Sequence, residues 1–100
     1  MNLGEINACV LICTYNNEKT LARVIDGVLK FSRGKDVIVI NDGSTDNTAE
    51  ILSTYHNKIT LLTNEKNSGK GFSLRKGFAE AIKLGFENAI TIDSDRKSVV

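Results

Sequence analysis

A three-layer α/β/α fold with a mostly parallel sheet is predicted by two observations. Apolar runs of strand length alternate with one-sided helical patterns from end to end, and the runs lack a polar face, as strands covered on both sides require. Carboxylates stand just after two of the runs, at Asp42 and at Asp93 with Asp95, which is the edge where open parallel sheets carry their chemistry.

The first run, Ala8-Cys-Val-Leu-Ile-Cys13, is apolar throughout and reads as a buried strand. Leu21, Val24, Ile25, Val28 and Leu29 follow at i, i+3, i+4, i+7 and i+8, which makes one apolar helix face, closed by Gly34. Val37 to Ile40 is a second buried strand. Asp42-Gly-Ser-Thr-Asp46 is a turn rich in N-cap residues, and Thr48, Ile51, Leu52 and Tyr55 then form a short helix face. Ile59 to Thr63 reads as the third strand. Leu74, Phe78, Ala81 and Ile82 mark the buried face of a third helix ending near Gly85, and Ala89 to Ile92 is the fourth strand. Strands joined through helices imply right-handed crossovers and a parallel sheet. Residues 1–100 form a single domain part; a sheet ending at the fourth strand leaves an edge that is ordinarily paired or covered, so the fold is expected to be truncated there and to continue beyond Val100. The open edge also makes a homo-oligomer an expected assembly.

Composition narrows the class. With 41% hydrophobic and 25% charged residues the chain is of ordinary globular type, and a net charge of +1 argues against a nucleic-acid partner. No apolar stretch approaches bilayer length and Met1-Asn-Leu-Gly-Glu5 is not a signal peptide, so a cytoplasmic address is expected. Cys9 and Cys13, four residues apart in one strand, stand roughly 13 Å from each other, too far for a disulfide. They read as small buried hydrophobes. His56, among polar residues, reads as a surface residue.

Four segments could carry chemistry. Asp93 and Asp95 are either turn residues or a pair in which one carboxylate ligates Mg²⁺ or Mn²⁺ while the other accepts bonds from sugar hydroxyls. Asp42 is either part of the turn or a carboxylate facing a base N–H; with Ser44, Thr45 and Asp46 supplying caps, it is expected to be free. Lys70 and Arg75 surround the start of the third helix, where the macrodipole disfavours cations; either they form a solvated face with Lys76, or an anion such as a nucleotide diphosphate joins them. Gly69 and Gly71 would let backbone approach it. In Thr14-Tyr-Asn-Asn-Glu18, Asn17 and Glu18 suit a helix start, or Thr14, Tyr15 and Glu18 wall a base pocket. No Walker loop and no dinucleotide-binding glycine motif is present.

Taken in order, Cys13-Thr-Tyr-Asn-Asn-Glu18, Val39-Ile-Asn-Asp-Gly-Ser-Thr-Asp46, Asn67-Ser-Gly-Lys-Gly71 with Arg75, and Asp93-Ser-Asp95 resemble the family 2 glycosyltransferases of the Rossmann-like GT-A fold, over nearly the whole chain. The Asn67 to Gly71 and Arg75 to Phe78 elements look most like the polyprenyl- and dolichyl-phosphate hexose synthases. The resemblance implies transfer of a hexose from a UDP- or GDP-sugar to an acceptor such as a polyprenyl phosphate or a saccharide, with Mg²⁺ or Mn²⁺ as cofactor. It implies that Asp42 contacts the base, Asp93 the ribose or sugar and Asp95 the metal. Thr14, Tyr15 and Glu18 would line the nucleoside pocket, and Lys70 and Arg75 would lie near the base or diphosphate. The chain departs from the family pattern after Asp95, where Arg96-Lys-Ser-Val-Val100 stands in place of glycine and polar residues. The acceptor side and its catalytic base are not among these residues. A donor-binding half with little or no transfer activity, at the inner face of the membrane in a longer protein, is the resulting expectation. A nucleotidyltransferase is the alternative, and the lack of a basic glycine loop after the first strand counts against it; a non-catalytic nucleotide-sugar-binding fragment is another.

Overall fold

The computed structural model describes residues 7–32 and 36–94. Strand β1 spans Ala8–Thr14, helix α1 Leu21–Leu29, β2 Val37–Asp42, α2 Thr48–Ser53, β3 Thr60–Asn64, α3 Lys70–Lys83 and β4 Asn88–Asp93. Every predicted element is present, and the bounds differ by one or a few residues. The differences fall mainly at the chemically loaded ends, because Asp42 and Asp93 are the last residues of their strands rather than the first of their loops.

All strand pairs are parallel and the sheet order is β3-β2-β1-β4. The chain therefore steps outward twice on one side of β1 and then crosses back to its other side. With right-handed connections, that reversal sends α3 to the sheet face opposite α1 and α2. Packing agrees: Val10, Ile12, Val37 and Val39 meet Leu21, Val24, Ile25, Val28, Leu52 and Tyr55 on one face. The alternate residues Cys9, Leu11, Ile38 and Ile40 meet Ala81 on the other. Each fully buried aliphatic side chain contributes about 1.5–3 kcal/mol of transfer free energy, and β1 and β2 supply such residues to both layers.

Of the residues expected on the apolar face of α3, Ala81 is buried and Leu74 half-buried, and the structure corrects Phe78 and Ile82. Ser73, Gly77 and Ala81 are the buried residues, whereas Phe78 is 40% and Ile82 74% exposed. The reason is spacing: a Cβ on Gly77 would stand 2.8 Å from Ile40 Cδ1, so the helix lies on the sheet through its small residues, and Phe78 and Ile82 turn outward. Cys9 and Cys13 are both free thiols. His56 is exposed. On the other face, Tyr55 donates its hydroxyl to Asp26 Oδ1 at 2.7 Å, joining the turn after α2 to α1. Strand β4 pairs with β1 alone among the described residues and stays largely exposed. No helix of the described residues is long and apolar enough to cross a membrane. Gly34, Asp95 and residues 96–100 lie outside the described residues.

Candidate functional site

Parallel pairing brings the carboxyl ends of β1, β2 and β4 to one edge: Thr14 is level with Asn41, and Cys13 with Asp93. At that edge opens a cleft of about 400 Å³ whose walls include Thr14, Tyr15, Asp42, Lys70 and Asp93. Five of the residues expected from the sequence thus meet in one place. Glu18 and Arg75 do not line it. Glu18 borders a smaller hollow with Asn16, Lys19 and Asp46, and its Oε2 accepts the Asn47 N–H at 3.3 Å, tying the β1–α1 loop to the start of α2. Arg75 is exposed on α3. Asp95, expected to hold the metal, is outside the described residues.

Asp42 is not left free, as the turn chemistry led us to expect. It is 4% exposed, and a buried carboxylate requires donors. Its Oδ1 accepts from Ser68 N–H at 2.7 Å and Asn64 Nδ2 at 2.9 Å, and its Oδ2 from Gly69 N–H at 3.0 Å and Asn67 Nδ2 at 3.4 Å. Burial alone would raise its pKa; the donors Ser68, Asn64, Gly69 and Ser73 together outweigh burial and hold it below the usual carboxylate value. Of the predicted caps, Asp46 accepts the Thr48 N–H at 2.9 Å, while Ser44 and Thr45 accept from Asn16 instead.

The same loop is pressed onto Gly43. That residue has φ +71°, and a Cβ there would lie 2.3 Å from the Lys66 carbonyl carbon and 2.4 Å from Asn67 N. Glycine at 43 therefore serves two needs at once, a left-handed conformation and a backbone crossing directly above it. Asp42 and Gly43 together fasten the segment that leads into α3.

Lys70, the first residue of α3, places its Nζ 2.6 Å from Asp93 Oδ1, with both side chains about half exposed. The Asp42 carboxylate also sits on the two amides preceding α3. These negative partners offset the repulsion between Lys70 and the helix N-terminus, so an external anion is not needed to account for a lysine there. Lys76 is engaged as well, donating to Thr63 O at 3.1 Å and Asn64 Oδ1 at 2.9 Å.

Thr14 is 2% exposed and its hydroxyl donates to Asn17 Oδ1 at 3.2 Å, whereas Tyr15 is 44% exposed with its ring at the cleft. Asn17 does not cap α1; Thr20 occupies the N-cap. The Asn17 carboxamide oxygen instead also receives Tyr15 N–H at 3.2 Å and Ser94 Oγ at 2.6 Å. Asn16, with φ +50°, accepts Thr45 N–H at 2.8 Å and Asp46 N–H at 3.3 Å, joining the loops after β1 and β2. Neither asparagine was legible as a clamp, although two adjacent asparagines leaving a buried strand are a signal of side chains that replace backbone partners.

Cys13 borders the cleft, with a thiol pKa pushed up by burial and further by Asp42 and Asp93 against an opposing pull from Lys70. It remains a protonated wall residue, not a nucleophile. Among the described residues no three His, Cys, Asp or Glu side chains form a ready metal set. The fit to a hydrated divalent cation comes from Asp93, an exposed carboxylate at the mouth, since magnesium-type sites use one or two carboxylates with water and phosphate.

A family model described as glycosyl transferase family 2 matches residues 9–95. A dolichyl-phosphate beta-glucosyltransferase of Trichomonas vaginalis is 33% identical over 86 residues, covering 74% of this chain and 26% of the relative. Residues 1–349 of Staphylococcus aureus TarS, solved in complex with UDP-GlcNAc, superpose with a TM-score of 0.62 at 29% identity, covering 88% of this chain and 26% of that fragment; of a longer solved TarS chain the share is 16%. A mannosyltransferase of Pyrobaculum calidifontis, solved with GDP-Man and Mn²⁺, shares the fold with a TM-score of 0.66 at 21% identity, covering 89% of this chain and 27% of its own. The chain thus spans about a quarter or less of the length of these proteins.

Proposed function

The chain belongs to glycosyl transferase family 2, and from that premise we propose that residues 1–100 form the nucleotide-sugar-binding part of a hexosyltransferase. The observation that carries the reading is the meeting of Thr14, Tyr15, Asp42, Lys70 and Asp93 around one cleft at the carboxyl edge of a parallel sheet. In this reading the Tyr15 ring packs against the base of a UDP- or GDP-sugar. Asp42 accepts a base N–H in place of its longest contact, the 3.4 Å bond from Asn67, and keeps the other three. Binding opens the Lys70–Asp93 pair: Asp93 turns to ribose or sugar hydroxyls and Lys70 to the diphosphate, so one exposed ion pair is exchanged for two ligand contacts.

A divalent cation, Mg²⁺ or Mn²⁺, fits beside Asp93, and we assign its main protein ligand to Asp95; when bound it would neutralise the leaving diphosphate. Glu18 and Arg75 are assigned supporting places, Glu18 through the loop it ties to α2 and Arg75 near the base or diphosphate. A lipid-linked or saccharide acceptor, a cytoplasmic address with membrane contact made by other parts, and self-association through the β4 edge complete the proposal. Sedimentation at high protein concentration tests the last: a monomer throughout would remove it.

Titration calorimetry with UDP and GDP, with and without Mn²⁺, tests the whole. Metal-dependent binding of one nucleotide is expected. Heat changes indistinguishable from dilution for both would refute the assignment.

A further inference from the structure

We propose that Asn17 is a positioning residue that sets Tyr15 and Asp93 relative to one another across the cleft; its effect on ligand binding rests on the nucleotide-sugar reading above. The ladder between β1 and β4 ends at Cys13 with Asp93, so beyond that pair only side chains can hold the two strand exits in register. Ser94, the residue after Asp93, is 2% exposed and is held twice. Its hydroxyl lies 2.6 Å from Asn17 Oδ1 and 3.0 Å from Cys13 O, and its carbonyl accepts the Thr20 hydroxyl at 2.7 Å. On the other side of the cleft, the Tyr15 N–H and the Thr14 hydroxyl end on the same Asn17 oxygen, each at 3.2 Å.

One carboxamide oxygen therefore receives three donors from two chain segments, and the link to Ser94 spans 77 residues of sequence. The Tyr15 N–H can only donate, and it settles which end of the amide faces inward, because the amide nitrogen has nothing to accept with. The requirement at 17 is an acceptor of this reach. Aspartate meets it and alanine does not. Without the acceptor, the Tyr15 amide and the buried Ser94 hydroxyl lose their common partner, and the ring and the carboxylate that would grip opposite ends of a donor are no longer held to one spacing.

Three variants test this: Asn17→Ala, Asn17→Asp and Ser94→Ala. In the nucleotide-free protein, hydrogen exchange at the Tyr15 amide is expected to be about ten-fold faster in Asn17→Ala and near wild type in Asn17→Asp. With UDP or GDP and Mn²⁺, Asn17→Ala is expected to bind about ten-fold more weakly, Asn17→Asp within about three-fold, and Ser94→Ala in between. Rescue by aspartate is the readout that loss of packing alone would not produce. Unchanged Tyr15 exchange in Asn17→Ala, or Asn17→Asp binding as weakly as Asn17→Ala, overturns the proposal. Should Asn17→Ala not fold, Ser94→Ala cuts the same link from the opposite side, and wild-type affinity there overturns it too. If the wild-type chain binds neither nucleotide, the reading of the cleft falls, and the exchange measurement alone decides the role of Asn17.

Discussion

The ammonium of Lys70 stands 2.6 Å from the carboxylate of Asp93, bridging the start of α3 and the end of β4 at the mouth of the cleft. Half-exposed pairs of this kind contribute about 0–1 kcal/mol, so the contact is weak enough to be exchanged for a ligand. Lys70→Met should therefore leave the midpoint of urea unfolding almost unchanged. Binding of a nucleoside diphosphate should weaken about ten-fold, the loss of one charge-assisted contact, while the bare nucleoside is unaffected. Calorimetry with the two ligands checks both halves, and equal losses for the two would show that Lys70 does not face phosphate.

Asp42 should make stability depend on acid. Because its folded pKa is depressed, the stabilisation is fully present above the unfolded aspartate value of about 3.9 and is lost as the pH falls through the lower folded value. Asp42→Asn, which cannot accept from all four donors, should cost about 2–3 kcal/mol at neutral pH and flatten the acid limb. Urea unfolding of both proteins between pH 7 and pH 3 measures the slope; parallel curves would contradict the expectation.

Two glycines with positive φ should respond differently to alanine. At Gly69, φ +97° and ψ 155°, an added Cβ meets nothing, so Gly69→Ala should cost only the backbone penalty of that glycine region, about 1–3 kcal/mol. At Gly43 a positive-φ penalty is joined by a collision with the Lys66 and Asn67 backbone, which cannot move without releasing the Asp42 bonds. Gly43→Ala should thus be the more destabilised of the two in thermal unfolding and should lose nucleotide binding; the reverse order would count against the loop geometry.

Tyr55 should titrate late. Burial first, then the hydrogen bond and charge of Asp26, raise its pKa to about 12. This contribution to stability is complete below the unfolded tyrosine value of about 10 and is lost as the pH rises through the folded one. Ultraviolet difference titration should show a late phenolate step that disappears in Tyr55→Phe, a variant expected to cost about 1 kcal/mol.

The layers and the strand ends were legible in the sequence because burial on both sides leaves uninterrupted apolar runs, as in Ala8 to Cys13 and Val37 to Ile40. The place of Asp42 and Asp93 at one rim followed from parallel connectivity. What Asp42 does there did not follow, since its partners, Asn64 and the amides of Ser68 and Gly69, come from a loop whose path depends on Gly43. The orientation of α3 was misread because periodicity ranks Phe78 and Ile82 as core, whereas close approach to Ile40 selects Gly77 and Ser73. The family resemblance puts Glu18 in the nucleoside pocket, whereas its carboxylate reaches the start of α2, a partner that no local pattern announces.

Strand β4 is joined to the rest of the sheet through β1 alone among the described residues, and of the paired strands these two are the furthest apart in sequence. Its docking closes the longest loop in the molecule, a step opposed by chain entropy and rewarded late in folding. Since Asp93 and Ser94 arrive only with β4, a partly folded chain with β1 to β3 assembled would own a core but no ligand cavity. Occupancy of the cleft would then be drawn solely from the sheet with β4 in place, and any molecule bound there would act by mass action as a brake on the detachment of that strand.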